Sequence, residues 1–240
     1  MLVQLMSDIH FEWHKDGGKS FINMLYTDEV DVLIVAGDII SAKNPDPLYR
    51  LADKYKRVLY VCGNHEFYGS SVNKTLDRLR ALSHSNLTFL DNDLVEIDGK
   101  RFLGSTLWFN KDFVKRSGAR EEWLNDFVSI HGFDYWVYKE HERAAKWLKD
   151  TIKEGDIVIT HHLPSMDCVA PKWRTSPYNC FFASNQNDTI HQNKPAYWFF
   201  GHTHESVEIV IGQSKMVCNP FGYAGYEENH NFDYYKVFQI

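Results

Sequence analysis

The sequence has few cysteines, no long apolar run and no cluster of positive charge. Its 240 residues include only 4 cysteines, Cys62, Cys168, Cys180 and Cys218, with no Cys-X-X-Cys spacing. This excludes a disulfide framework and argues against a cysteine-rich zinc site, so we expect reduced thiols. A hydrophobic content of 44% likewise excludes a disordered or collagen-like chain.

The apolar runs are short. Val30–Ile40 contains Asp31 and Asp38, and it is far too short to cross a bilayer. Residues 1–8 carry neither a basic region nor a small-residue cleavage site, so they are expected to form a first strand rather than a signal peptide. We therefore expect a cytoplasmic protein with no membrane partner.

Positive charge is sparse as well. Lys and Arg number 26 against 32 Asp and Glu, which gives a net charge of −6 with no Lys/Arg-rich run. Proteins that hold long nucleic acid by its phosphates usually carry a basic stripe. The composition therefore argues against long nucleic acid as a partner, and it leaves the oligomeric state open.

No repeat, low-complexity tract or Pro/Gly/Ser-rich linker divides the chain, which favours one domain over residues 1–240. Amphipathic stretches alternate with apolar, strand-like runs, and this alternation predicts an α/β (α+β layered) fold with helices on the faces of a sheet. The predicted strands are Val3–Met6, Val32–Ala36, Val58–Cys62, Ile157–Thr160 and Tyr197–Phe200. The predicted helices are Phe21–Tyr26, Leu48–Tyr55, Val72–Leu82 and Tyr138–Ile152.

Two hairpins and one insertion complete the predicted fold. Asp98-Gly99 is a two-residue turn signal between Val95–Ile97 and Arg101–Leu103, and Gly212–Ser214 separates two further strands. Residues 108–150 are rich in charge and aromatics, which predicts a helical insertion packed over one side of the sheet. Its rings are expected to form the insertion's own core, with lining of a substrate pocket by a few of them as the alternative.

Polar side chains follow five of the predicted strands. If these strands are mainly parallel, their carboxyl ends share one edge and the polar residues meet in one crevice. Six of the chain's 12 histidines lie in these short segments. The residues in question are Asp8, His10, Asp38, Asn64, His65, His161, His162, His202 and His204.

Imidazoles mixed with carboxylates are typical ligands of first-row transition metals. The set offers more donors than one tetrahedral ion needs. Two ions that share a bridging carboxylate are the simplest arrangement, and no cysteine takes part.

The polar segments, taken in order, resemble the calcineurin-like metallophosphoesterase superfamily. They read Asp8-Ile9-His10, Gly37-Asp38, Gly63-Asn64-His65-Glu66, Thr160-His161-His162 and Gly201-His202-Thr203-His204. Thr106–Trp108, Thr160–Ser165 and Cys218–Tyr223 also resemble a bacterial-type, single-domain subgroup. The resemblance implies a metallophosphoesterase-type β-sandwich flanked by helices.

The resemblance also implies a role for each residue. Asp8, His10 and His204 would hold one divalent ion, and Asn64, His161 and His202 a second. Asp38 would bridge the two ions, which would be Mn, Fe or Zn, and His161 is preferred to His162 as the ligand. His65 would face the phosphate as a catalytic residue with Asp38, and Asn64, His65 and Arg174 would bind substrate.

The chemistry expected of such a site is hydrolysis of a phosphate ester. Two ions roughly 3.5–4 Å apart clamp a phosphate and lower the pKa of a bridging water from 15.7 toward about 7, so that hydroxide attacks phosphorus. His65, oriented by Glu66 or by a backbone carbonyl, would protonate the leaving alkoxide. That role slightly favours a phosphodiester over a phosphomonoester.

Departures from related branches narrow the substrate to a small ester. Gly37–Lys43 lacks the arginine of the protein phosphatases, His65 stands where lipid A-type pyrophosphatases have arginine, and no long capping domain of the nuclease kind follows Gly201–His204. A nuclease or protein phosphatase, and a catalytically silent protein-binding scaffold, remain the alternatives.

The segment Pro171–Asn179 follows the His161 strand and is expected to overhang the crevice. Lys172 or Arg174 would bind a second phosphate or a ribose there, and Trp173 or Tyr178 would stack on a base. A solvated loop is the alternative. Asn219 either points toward the metals or forms a turn before Pro220.

Overall fold

The computed structural model describes residues 1–240, and its elements follow the apolar runs of the sequence. The strands are β1 (Leu2–Met6), β2 (Val32–Ala36), β3 (Val58–Val61), β4 (Leu87–Phe89), β5 (Asp93–Ile97), β6 (Lys100–Ser105), β7 (Ile157–Thr160), β8 (Tyr197–Phe200), β9 (Val207–Ile211), β10 (Ser214–Cys218), β11 (Gly222–Tyr223), β12 (Glu227–Glu228) and β13 (Val237–Gln239). The helices are α1 (Lys19–Met24), α2 (Asp46–Ala52), α3 (Val72–Arg80), α4 (Lys111–Ser117), α5 (Asp126–Ser129), α6 (Phe133–Thr151) and α7 (Asn187–Asn193).

Two mixed sheets form the centre of the fold. One has the order β13-β1-β2-β3-β4 and the other β5-β6-β7-β8-β10-β9, while β11 and β12 form a separate small ribbon. The pairs β1–β2, β2–β3, β3–β4, β6–β7, β7–β8 and β8–β10 are parallel. The mixed α/β sandwich implied by the resemblance is confirmed.

Strand β2 shows why the sheets face each other. All five of its residues are fully buried. Leu33 and Val35 pack with the helices on the outer face, whereas Val32, Ile34 and Ala36 pack against residues of the second sheet. Because both faces are covered, the strand has no polar alternation, as expected for buried parallel strands.

The predicted polar segments come from both sheets of the sandwich, not from the edge of a single sheet. Strands β1, β2 and β3 belong to the first sheet, and β7 and β8 belong to the second. The carboxyl ends of both sheets open on the same crevice, so residues of the two sheets face each other across it. The sequence predicted the shared edge, but it did not predict that two sheets supply it.

The predicted insertion is helical and contains α4, α5 and α6. Trp108, Phe109 and Phe133 are buried, so its rings do form a core, while Trp123 and Tyr135 are exposed. Helix α6 packs Val137 with the cluster outside the first sheet and Leu148 with the cluster outside the second. The insertion therefore bridges both halves of the sandwich rather than covering one side.

Both predicted hairpins are present as antiparallel pairs, β5–β6 and β9–β10. All four cysteines are buried and unpaired, which confirms the expected free thiols. None of the helices combines the length and the apolar character that crossing a bilayer requires.

Candidate metal centre and substrate cavity

Three predicted ligands meet at the carboxyl ends of β1 and β8. The Nε2 atoms of His10 and His204 lie 3.3 Å apart, and Nε2 of His204 lies 3.6 Å from Oδ1 of Asp8. Asp8 and His10 are fully buried. The distances place these three donors around one point.

A second group meets at the ends of β3, β7 and β8. Nε2 of His161 lies 3.1 Å from Oδ1 of Asn64, 3.2 Å from Nδ1 of His202 and 3.3 Å from Oδ2 of Asp38. The same Oδ2 atom of Asp38 lies 3.8 Å from Nε2 of His10, in the first group. Asp38 therefore stands between the two groups, as a bridging carboxylate would.

The hydrogen bonds of the imidazoles test whether a cation fits. Nδ1 of His161 donates to the carbonyl of Ala36 at 2.9 Å, and Nδ1 of His10 donates to Oε1 of Glu12 at 3.1 Å. If the rings are neutral, each Nε2 atom then carries a lone pair, and this lone pair is directed at another acceptor. A cation would satisfy these electron pairs, and the nitrogen and oxygen donors fit divalent transition metals.

The titration of His161 points the same way. Although burial acts to lower it, the nearby charge of Asp38 raises the pKa of His161 to about 10. A proton is therefore held strongly where the lone pairs converge. A divalent ion bound by the same donors would take the place of that proton.

The backbone is strained at most of these candidate ligands. Left-handed φ values cost an L-residue on the order of 1 kcal/mol or more and cluster at functional sites. The affected residues and their φ angles are Asp8 (51°), His10 (50°), Asp38 (53°), His202 (70°) and His204 (49°).

Two glycines permit the close packing of the centre. A Cβ atom on Gly63 would lie 2.2 Å from Oδ1 of Asp38, and one on Gly37 would lie 2.3 Å from Nδ1 of His161. Gly37 also has a φ of 87°, which glycine adopts without strain. Any side chain at either position would displace a candidate ligand.

Glu66 does not orient His65, and this expectation was wrong. Its buried carboxylate accepts hydrogen bonds from the backbone N–H groups of Gly63 (2.7 Å) and Ile39 (2.9 Å) and from the hydroxyl of Tyr60 (2.8 Å). Burial and the charge of Asp38 raise the pKa of Glu66 to about 7. Glu66 instead ties the segment that carries Asp38 to the segment that carries Asn64.

His65 is held by three residues to which the sequence analysis gave no role. Its Nδ1 lies 3.4 Å from Oε1 of Glu12, its Nε2 lies 3.1 Å from the hydroxyl of Tyr223, and its ring stacks on Tyr68 at 4.2 Å. Burial acts to lower the pKa of His65, but the charges of Asp38 and Glu12 raise it to about 9. Both ring nitrogens have partners, and His65 lies beside the candidate ligands His10 and Asp38, close enough to form a candidate metal-binding group with them.

Glu12 comes two residues after His10 in the chain, and this proximity was a usable signal for a role at the site. Tyr223 lies in the segment Cys218–Tyr223, which carried part of the resemblance without a role for any one residue. Its ring packs against His10 at 4.4 Å and His204 at 4.8 Å. Burial and the charges of Asp38 and Asp8 raise the pKa of Tyr223, so its hydroxyl keeps its proton.

Asn64 is oriented by Asp126, a residue of the insertion. Its Nδ2 donates to Oδ1 of Asp126 at 2.9 Å, and the hydroxyl of Tyr68 donates to the same oxygen at 2.7 Å. This leaves Oδ1 of Asn64 directed at His161. Burial raises the pKa of Asp126. Nothing in the sequence indicated this contact, because Asp126 lies far from Asn64 along the chain.

His162 and Asn219, whose roles the sequence left open, both contact the backbone of neighbouring segments. His162 is fully buried, its Nδ1 lies 3.2 Å from the carbonyl of Thr106, and its ring packs on His202 at 4.3 Å. The amide of Asn219 donates to the carbonyls of Leu5 (2.8 Å) and Asp233 (2.9 Å). Asn219 therefore fastens the C-terminal segment to β1 rather than pointing at the metal centre.

A cavity of about 390 Å³ opens on the candidate ligands. The polar lining that includes the candidate ligands, which we call the metal wall, consists of Asp38, Asn64, His65, His202, His204 and Tyr223. The apolar lining, which we call the apolar wall, consists of Leu124, Leu163, Val169, Trp173, Tyr178 and Phe182, and it begins beside the ligands, where Phe182 packs on His202 at 4.4 Å. None of the aromatic rings singled out in 108–150 lines the cavity, so that alternative was wrong. Leu124, Asn125 and Asp126 line it instead.

The basic residues of Pro171–Asn179 are not part of either wall. Arg174 is exposed and does not line the cavity, contrary to its predicted role. It follows Trp173 at the end of a 3-10 helix, where successive side chains lie about a third of a turn apart, so Trp173 lines the cavity and Arg174 does not. Lys172 is paired with Glu205.

Comparisons with known proteins agree with this geometry. The chain is 25% identical over 276 residues to an uncharacterised protein of Acanthamoeba polyphaga mimivirus, covering 100% of this chain and 96% of that protein. It is 26% identical over 234 residues to a UPF0046 protein of Caenorhabditis elegans, covering 90% and 68% of the two chains.

Two solved structures share the fold. Phosphopantetheinyl hydrolase from Mycobacterium tuberculosis superposes with a TM-score of 0.74 at 15% identity, over 99% of this chain and 95% of the other. A dimetal phosphatase from Danio rerio superposes with a TM-score of 0.53 at 14% identity, over 91% and 86% of the chains. The model of the calcineurin-like phosphoesterase family matches residues 1–206. The strand-end ligands, the sandwich and this match together place the chain in the calcineurin-like phosphoesterase family.

Proposed function

We propose that the chain is a dinuclear metal-dependent phosphoesterase that hydrolyses a small phosphodiester or phosphomonoester, with the diester preferred. Asp8, His10 and His204 would hold one divalent ion, Asn64, His161 and His202 the other, and Asp38 both. Mn, Fe and Zn suit these ligands equally. When bound, the ions supply positive charge for the phosphoryl oxygens and an activated water for attack on phosphorus.

The observation that carries the proposal is the convergence of lone pairs on two points that share Asp38. The ring nitrogens that face away from these points are fixed, by Ala36 for His161 and by Glu12 for His10. Outer partners of this kind set the tautomer of a metal-binding imidazole. All seven predicted ligands are present, which argues against a silent scaffold.

His65 would act on the leaving group. Nδ1 faces the Glu12 carboxylate at 3.4 Å, so Nε2 would be the atom that delivers a proton, and Nε2 lies beside Tyr223 on the metal wall. A proton given to the leaving oxygen assists most where that oxygen is a poor leaving group, as in an alkyl ester. This role supports the preference for a diester.

Purified protein with measured metal content tests the proposal. We expect two transition-metal equivalents per chain, turnover of bis(4-nitrophenyl) phosphate, and less turnover of 4-nitrophenyl phosphate. Treatment with a chelator should abolish both activities, and Mn²⁺, Fe²⁺ or Zn²⁺ should restore them. Full turnover by metal-free protein, or bound metal without turnover of either ester, would overturn the proposal.

A further inference from the structure

The cavity beyond the metal wall contains no basic side chain. None of its lining residues is Lys or Arg, whereas Asp126 and Glu227 contribute carboxylates to it. Lys172, which is not among the lining residues, is paired with Glu205, and its ammonium lies 5.2 Å from the centre of the Trp173 ring. A second phosphate or a carboxylate in this space would face negative charge with no Lys or Arg among the lining residues to pair with it.

The apolar wall is built for an uncharged group of some size. Trp173, Tyr178 and Phe182 contribute rings, and Leu124, Leu163 and Val169 contribute aliphatic side chains. Cavities of about this volume, apolar with a few polar groups, are typical of sites for small organic molecules. Aromatic walls bind flat rings and hydrocarbon chains through dispersion and burial.

Asp126, one of the lining residues, also carries an unused hydrogen-bond acceptor. Asp126 is 1% exposed, and while its Oδ1 accepts from Asn64 and Tyr68, its Oδ2 has no hydrogen-bond partner. A buried carboxylate oxygen without a hydrogen-bond partner destabilises the folded protein. Glu227 lies elsewhere in the lining, where it faces Nδ1 of His204 at 3.6 Å. The two carboxylates make the cavity more favourable to a donor or a positive charge than to an anion.

Resting on the proposed function, we infer that the substrate is an ester with a single phosphate whose leaving group is an aromatic or aliphatic alcohol, neutral or cationic and without a second anionic group. The metal wall takes the phosphate and the apolar wall takes the leaving group. Nucleoside di- and triphosphates, polyphosphates and acidic phosphopeptides are thereby excluded as good substrates.

Three phenyl phosphates that differ mainly in charge test this inference. The para substituents are ethyl (neutral), carboxymethyl (anionic) and 2-aminoethyl (cationic), prepared as monoesters or methyl diesters according to which generic ester is hydrolysed. We expect kcat/KM for the ethyl and aminoethyl compounds to exceed that for the carboxymethyl compound by about tenfold or more. Equal values, or a preference for the anion, would overturn the inference.

Variants locate the effect on the apolar wall. Trp173→Ala should lower kcat/KM for the ethyl compound by about tenfold through loss of ring contact, and Trp173→Phe should recover most of it. Glu227→Gln should reduce the difference in kcat/KM between the ethyl and the carboxymethyl compounds. Tyr135→Ala, which removes an exposed ring outside the cavity, is the control. No response to Trp173→Ala in correctly folded protein would contradict the inference.

A binding measurement separates the inference from the proposed function. Titration of metal-loaded protein with 4-ethylphenylphosphonate should quench tryptophan fluorescence, and Trp173→Ala should weaken that binding. If no ester is hydrolysed, the proposed function fails. If esters are hydrolysed without discrimination by charge or by residue 173, only the inference about the leaving group fails.

Discussion

The two walls of the cavity differ in how the chain builds them. The metal wall consists of side chains placed directly after strands of the sandwich, several of them with strained backbone. The apolar wall comes from the segments 121–130 and 163–182, which are mostly short 3-10 turns and loops. The fold thus places most of the reactive groups at the ends of its central strands and leaves the apolar contacts to longer connecting segments.

This difference shows which wall is able to change. Several candidate ligands are fixed by outer partners, such as Ala36 for His161 and Asp126 for Asn64, so a change there disturbs the chemistry. Trp173 and Tyr178 are partly exposed and lie on turns, so substitution there alters contacts with little cost to the fold. We therefore expect substitutions in the metal wall to lower kcat for every substrate, and substitutions in the apolar wall to change which substrates are preferred. The following variants test this expectation.

The largest effect is expected from Asp38→Asn, at the point shared by both groups of ligands. Loss of this charge removes several kcal/mol of stabilisation of the metal centre, which corresponds to roughly a thousandfold or greater loss of kcat. Metal content should fall below two equivalents. Asp188→Asn, an exposed position on α7, is the control, and retained metal with retained turnover in Asp38→Asn would disprove the shared role.

His65→Asn should lower kcat by about a hundredfold or more without loss of metal, because it removes the proton donor and no ligand. The loss should be larger for an alkyl ester than for a 4-nitrophenyl ester, whose leaving group needs little protonation. An equal loss for both esters would show that His65 serves only to bind the phosphate.

Glu12→Gln and Tyr223→Phe test the two partners of His65. Each change should lower kcat by roughly ten- to a hundredfold, as for other outer partners of metal-site residues, and the loss should again depend on the leaving group. Glu29→Gln, an exposed change away from the cavity, is the control. If KM alone rises, these residues position substrate rather than His65.

Asp126→Asn tests the contact between the insertion and the candidate ligand Asn64. It replaces the charged acceptor that orients Asn64 with a neutral amide whose NH₂ group cannot accept, and a loss of about tenfold in metal affinity is expected, measured by competition with a chelator. Unchanged metal affinity would show that Asn64 keeps its orientation without Asp126.

The smallest effect is expected from Arg174→Ala. Because Arg174 is exposed and lies outside the cavity, KM for any of the esters should change by less than about twofold. A large rise in KM would place Arg174 at the substrate and would restore the prediction made from the sequence.

Much of the metal wall was predictable because all of its residues except Tyr223 follow an apolar strand with a recognisable pattern. His65 was predicted as a site residue, but its partners were not. Glu66 is next to it in sequence and was assigned to it, whereas Glu12 holds it. Arg174 was preferred to Trp173 for substrate because charge is visible in a sequence, while the direction of a side chain on a turn is not.

The sequence by itself determined the order of strands and helices and the residues that follow the strands, because apolar periodicity and short polar motifs are local properties. Only the tertiary structure decided that two sheets share these residues, that Asp126 orients Asn64 and Tyr223 contacts His65, and that the far wall is apolar and without cations. Those are contacts between segments distant along the chain, and their geometry follows from how the sandwich packs.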